Sequence, residues 1–120
     1  RVVRKIDPGA KEEYMPDPKV VGDIKNILGP LWQNQREQVT LYRGTPTPDN
    51  NNSGYLGRIG IYEVLPVTEK IGRLILERAP ASAIERQARE EGMIALKQDG
   101  YLKVVEGVTT IEEILRVAEE

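Results

Sequence analysis

The spacing of apolar residues along this chain changes from one stretch to the next, and each change marks a different kind of element. Val2, Val3 and Ile6 stand close together between basic residues and read as a short strand. Lys11 to Pro18 is polar and carries Pro16 and Pro18. From Lys19 to Leu28 the apolar positions Val20, Val21, Ile24, Ile27 and Leu28 recur at helical spacing, and Gly29-Pro30 stops the helix. Leu31 to Gln38 fits neither period. Val39-Thr40-Leu41-Tyr42 reads as a strand, expected to pair with Ile59 to Leu65 across the proline- and asparagine-rich stretch between them.

The run Ser53-Gly54-Tyr55-Leu56-Gly57-Arg58-Ile59-Gly60-Ile61-Tyr62-Glu63-Val64-Leu65-Pro66 is a glycine-rich turn opening into a short apolar strand. Gly54, Gly57 and Gly60 supply backbone freedom or close approach, and Ile59, Ile61, Val64 and Leu65 supply burial. After Pro66 the pattern is helical. Thr68 caps a helix with Ile71, Leu74 and Ile75 on one face. Ser82 and Glu85 have the spacing of a capping box, and Gly92 ends the helix they open. A third helix runs from about Ile94 to Glu106 and stops at Gly107, with Asp99-Gly100 inside it, where Gly100 is expected to allow close packing. Thr110 and Glu113 form a second capping box, opening a helix with Ile111, Ile114, Leu115 and Ala118 along one stripe. The expected class is α+β: a small mixed α/β lobe over residues 1–65, then an antiparallel α-helical bundle over residues 66–120.

Composition narrows the chemistry. The chain has no cysteine and no histidine, so it has no disulfide framework and cannot supply the four nitrogen or sulfur ligands of a structural zinc site. Aromatic residues are only 5%, with Trp32 the single tryptophan and no phenylalanine, so the core rests on Ile, Leu, Val and Ala, which favours packed helices. Tyr42, Tyr55, Tyr62 and Tyr101 are dispersed and the formal net charge is −2, which argues against nucleic acid as a partner. No apolar run is long enough to span a bilayer, and the start of the chain lacks a signal peptide's apolar core. A phosphate-cradling loop needs Gly-Lys followed by Ser or Thr, and no Gly-Lys pair occurs. Nor is there a recognisable metal-holding acid with a partner base, so catalytic residues are expected to be none and the chain alone is not expected to hydrolyse ATP. The acidic pairs Glu90-Glu91, Glu112-Glu113 and Glu119-Glu120 read as exposed helix faces.

The glycine-rich run, followed at its spacing by Gly92-Met93-Ile94-Ala95-Leu96-Lys97-Gln98-Asp99-Gly100-Tyr101-Leu102-Lys103-Val104-Val105-Glu106-Gly107 and the helix to Val117, resembles the carboxy-terminal end of the hexameric ATPases that drive type II secretion and type IV pilus assembly. The opening Arg1-Val2-Val3-Arg4-Lys5-Ile6 resembles the strand that ends their RecA-like core and leads into a small zinc-binding insertion. The resemblance covers most of residues 1–117 and is weakest between Pro16 and Pro48. It aligns Asp7 and Ala10 with one Cys-x-x-Cys pair of that insertion and Thr47 and Asn50 with the other. None of the four is a thiolate, so a degenerate, metal-free insertion held by turn chemistry is expected, with a mobile loop from Arg43 to Ser53.

The resemblance implies a part serving subunit assembly and coupling of ATP hydrolysis to the inner-membrane machinery. ATP and Mg belong to the parent protein, with no cofactor in this chain. Its implied partners are neighbouring subunits of a homo-hexamer and an inner-membrane platform protein, without direct membrane insertion. The implied location is cytoplasmic, peripheral at the inner membrane. It implies that Tyr55, Arg58 and Glu63 fix the turn joining bundle to core, with Arg58 in a salt bridge within the subunit or at an interface. Arg1, Arg4 and Lys5 are either a solvated strand end or trans-acting basic groups. The alternative function is a stand-alone protein–protein adaptor that kept the fold without the motor. Secretion, pilus extension and DNA uptake systems share these features.

Overall fold

A computed structural model describes residues 1–31, 39–63 and 65–118. The unassigned stretch after Leu31, with Trp32, and also Val64 and Glu119-Glu120 lie outside the described residues. The described residues are mixed α/β, with five helices and two small antiparallel sheets of two strands each. Its contacts gather into two compact units: residues 1–62 with 96–120, and residues 63–95.

In the first unit β1 (Val2–Ile6) pairs with β4 (Tyr55–Gly60), and β2 (Lys11–Tyr14) pairs with β3 (Leu41–Gly44). Both pairings differ from the expected partnership of Val39–Tyr42 with Ile59–Leu65, and the polar stretch from Lys11 supplies a strand, Lys11–Tyr14. The reason is local. Glu12 and Glu13 sit on a largely exposed ribbon, so β2 has no apolar alternation to betray it, while Arg43 opposite supplies an ion pair to Glu12 at 3.2 Å. The Arg43 hydrogen bond also holds the Glu12 carboxyl below its ordinary range. The apolar strand ends at Gly60, and Leu65 is exposed. β4 contains a bulge: three steps from Arg58 to Tyr55 answer two from Arg4 to Ile6, and Gly57, at φ 83°, supplies the left-handed residue this requires.

Helix α1 (Pro18–Leu28) is capped by Asp17, whose carboxylate accepts from Lys19 N–H, and it buries Ile24 and Leu28. Helix α4 (Leu96–Val105) buries Tyr101 and Val104, and α5 (Ile111–Ala118) buries Ile114. These side chains meet Val3, Val39, Leu41 and Ile61 in one core, so α4 and α5 pack with α1 and the strands of this unit. That grouping departs from the expected division at residue 65, because the faces of α4 and α5 are filled by β-strand and α1 side chains. Gly100 acts as expected. A Cβ there would lie 2.8 Å from Ile114 Cδ1 and 2.9 Å from its Cγ2.

The second unit is a pair of helices, α2 (Glu69–Leu76) and α3 (Ala81–Glu90), with Ile71 and Ala88 buried. Thr68 caps α2 by accepting from Ile71 N–H at 3.2 Å, and it donates to Glu91. The capping box expected at Ser82 is absent: α3 begins at Ala81 with Pro80 as its cap, so Ser82 already lies inside the helix. Proline's fixed φ starts this helix without a side-chain acceptor.

Candidate functional site

The most deeply buried carboxylate of the first unit stands at a junction of β1 and α5. Glu113 is buried on α5, and its carboxylate accepts from three groups of Arg4: the backbone N–H at 2.8 Å, Nε at 3.0 Å and Nη2 at 3.0 Å. Arg116, one turn along, donates to the same carboxylate from Nε at 3.2 Å and Nη2 at 3.1 Å. Burial pushes the Glu113 carboxyl up, but the hydrogen bonds from Arg4 and Arg116 outweigh it and hold the group at about 2. The same hydrogen bond raises the Arg4 guanidinium above its usual range. Helix position explains the convergence. Thr110 caps α5 by accepting from Glu113 N–H, but Glu113 does not complete the expected box; it turns to β1 instead. The reading of Glu112-Glu113 as an exposed pair is thereby corrected for Glu113, which covers the outer edge of β1.

Tyr55 belongs to this junction. Its hydroxyl lies 2.8 Å from Thr110 Oγ1, and the Arg4 guanidinium sits 4.2 Å from the centre of its ring. Thr109 donates to Arg4 C=O at 2.7 Å. Tyr55 thereby ties β4 to the start of α5.

Arg58 stands opposite Arg4 in the ladder and is exposed, without the expected ion pair among the described residues. Arg4, Arg58 and Arg116 line one open concavity with Val2, Ser53, Tyr55 and Gly57. Lys5 is exposed beside Gly57, and Arg1 joins the ladder through its backbone to Ile61. Glu63 opens the second unit and is exposed, with no ion pair among the described residues. Of the six basic and turn residues singled out from sequence, the structure thus joins Arg4 and Tyr55 directly and leaves Arg58 beside them.

The four positions aligned with the cysteine pairs form a second cluster. Asn50 is buried and donates from Nδ2 to Asp7 Oδ2 at 3.0 Å and to Thr45 C=O at 3.0 Å. Its Oδ1 accepts from the backbone N–H groups of Thr47, Ser53 and Gly54. Asp7 accepts from Gly9 N–H, and Ala10 C=O accepts from Thr45 N–H at 2.8 Å. One amide side chain thus closes the loop expected to be mobile. Asn51 and Asn52, at φ 55° and 58°, make the sharp turns this needs. The approach is close enough that a Cβ on Gly44 or Gly54 would strike the other's backbone. Sequence reasoning placed Asn50 at a lost ligand position and in a stretch of turn chemistry; its role as a hub needs Asp7, 43 residues away. Among the described residues no three Asp or Glu side chains group to hold a metal ion, and no helix is long and apolar enough to cross a membrane.

The family model described as type II/IV secretion system protein matches residues 1–116. The type II secretion system protein E of Xanthomonas campestris is 35% identical over 100% of this chain and 20% of its own length. The type IV pilus assembly ATPase PilB of Thermus thermophilus is 35% identical over 96% of this chain and 12% of its own length. The type II secretion system ATPase E of Vibrio cholerae is 35% identical over 100% of this chain and 22% of its own length. The chain therefore spans between 12% and 22% of the length of these relatives, and it belongs to the type II/IV secretion system protein family.

Proposed function

We propose that this chain is the carboxy-terminal assembly and coupling part of an ATPase that powers type II secretion or type IV pilus assembly. The observation that carries the reading is the end-to-end match to relatives named as such ATPases, of which it covers only a small share. In this reading β1 and β4 are the last strands of a RecA-like core. The segment from Asp7 to Gly54 is the insertion, held by Asp7 and Asn50 in place of zinc. Helices α2 to α5 are the carboxy-terminal helical part.

ATP and Mg are held elsewhere in the longer protein, in keeping with a sequence that contains no Gly-Lys pair. The Arg4–Glu113–Arg116 junction fastens α5 to the strand leaving the core, so a displacement of that strand is transmitted to the helix rather than absorbed between them. Neighbouring subunits of a homo-hexamer and an inner-membrane platform protein are the surfaces on which it acts, from the cytoplasmic side. Sedimentation of the full-length gene product with magnesium and a non-hydrolysable ATP analogue tests the assembly part of this reading. A hexamer is expected, and a product that stays monomeric at all concentrations would refute it.

A further inference from the structure

The segment from Asp7 to Gly54 is closed by one side chain whose two ends play opposite parts. Asn50 Nδ2 stands 3.0 Å from Asp7 Oδ2 and 3.0 Å from Thr45 C=O, so both of its hydrogens are taken up by oxygens. Asn50 Oδ1 accepts from Thr47 N–H at 2.9 Å, Gly54 N–H at 3.1 Å and Ser53 N–H at 3.2 Å, which leaves no lone pair of that oxygen free. The other oxygen of Asp7 accepts from Gly9 N–H at 2.9 Å, and Asp7 N–H donates to Gly54 C=O at 3.0 Å, closing the ring. Asp7 and Asn50 are 7% and 3% exposed, and among the described residues no buried side-chain nitrogen or oxygen lacks a partner. All the partners of this pair lie within residues 7–54, so the closure does not depend on what a longer protein adds around it.

The zinc ion that the family resemblance implies for this segment does not fit these groups. A structural zinc site needs four nitrogen or sulfur ligands, whereas Asp7, Ala10, Thr47 and Asn50 offer a carboxylate, a methyl group, a hydroxyl and an amide. The four positions are instead joined by hydrogen bonds: Ala10 N–H donates to Asp7 C=O at 3.0 Å, Asn50 donates to Asp7, and Thr47 N–H donates to Asn50. The amide nitrogen of Asn50 carries no ligand lone pair, and it occupies the point between Asp7 Oδ2 and Thr45 C=O from which a cation would be held by both. Two N–H bonds present their positive ends there, which satisfies a buried carboxylate without an ion.

We propose that this segment is closed by the Asn50 amide and is indifferent to metal ions, and that a carboxylate cannot take the amide's place at residue 50. The proposal rests on the reading of residues 7–54 as the insertion; its test uses neither ATP nor assembly, so it can fail while that reading stands. The asymmetry follows from the two ends of the side chain. In Asn50→Asp one oxygen still accepts from the three N–H groups, but the other is set against Asp7 Oδ2 and Thr45 C=O. Two carboxylates at that separation repel, and a proton shared between them restores a donor.

Residue-resolved amide exchange at Thr47, Ser53 and Gly54, expressed as protection relative to an unstructured chain, tests it in EDTA and in equimolar zinc chloride. The native chain is expected to show the same protection in both. Asn50→Asp in EDTA should lose about tenfold in protection at these three amides at pH 7 and regain part of it at pH 5, where the carboxyl pair holds a proton. Val3 and Ile24 amides are followed as the reference for the rest of the unit, and recovery at pH 5 is required whether or not they open at pH 7. Native protection that falls in EDTA or rises in zinc, native amides that exchange unprotected, Asn50→Asp protection equal to native at pH 7, or no recovery at pH 5 would each overturn the proposal.

Discussion

Glu113→Ala isolates the junction that ties α5 to β1. The substitution removes the acceptor of five hydrogen bonds, one from the Arg4 backbone and four from two guanidiniums. The Arg4 N–H then loses its acceptor at a partly buried strand edge, which costs about 1–3 kcal/mol. The guanidiniums are 48% and 54% exposed and regain water, so each lost ion pair adds only about 0.2–1 kcal/mol. The total expected is about 1.5–5 kcal/mol. Glu113→Gln keeps a carbonyl oxygen for Arg4 N–H and should cost about 1–2 kcal/mol.

The pH dependence follows from the direction of the shift. The carboxyl titrates at about 2 in the folded chain, below its unfolded value. Its contribution is therefore fully present above the unfolded pKa of about 4.3 and is lost as pH falls through the folded value. Urea unfolding followed by far-UV circular dichroism at pH 7 and pH 3 reads both effects. The gap between the native chain and Glu113→Ala should be full at pH 7 and narrower at pH 3. A gap under about 0.5 kcal/mol at pH 7, the size of an ordinary surface substitution, or one that does not narrow, refutes the reasoning.

Asn50→Ala leaves the Gly54 N–H and Asp7 Oδ2 without their partner. It should cost about 2–3 kcal/mol and raise amide exchange at Thr47, Ser53 and Gly54 together; fast exchange there in the unaltered chain would show that the hub does not hold. Gly100→Ala forces a Cβ against Ile114, and overpacking of about 1–3 kcal/mol exceeds the helix-propensity gain of about 1 kcal/mol. Calorimetry should show a lower melting temperature, recovered when Ile114→Val is added; a higher melting temperature for the single variant would contradict the packing. Thr68→Ala removes the α2 cap and should cost the second unit about 1 kcal/mol, seen as faster exchange at Ile71 while Val3 and Ile24 amides stay unchanged.

Helices were legible because their apolar positions repeat and their ends are marked: α1 to α5 fall close to the expected ranges, and Gly100 packs as its place in the pattern implied. Strand pairing was not. β2 is a polar ribbon whose partner lies across a long connection, and only side chains such as Arg43 and Glu12 select it. The Ser82 box failed because Pro80 starts α3 two residues earlier, a competing signal two residues away. Glu113 was visible as a capping residue, but its partner is 109 residues away in sequence, a distance at which spacing carries no information. Likewise Tyr55 was singled out from its motif, whereas its contact with Thr110 appears only after α5 is folded against β1.

The central claim, that this chain is one part of a secretion or pilus ATPase, is tested most directly by ATP turnover with magnesium, measured for this chain and for the full-length product of its gene under the same conditions. The account predicts turnover by the longer product and none by this chain alone. Turnover by this chain alone, or by neither protein, would contradict it.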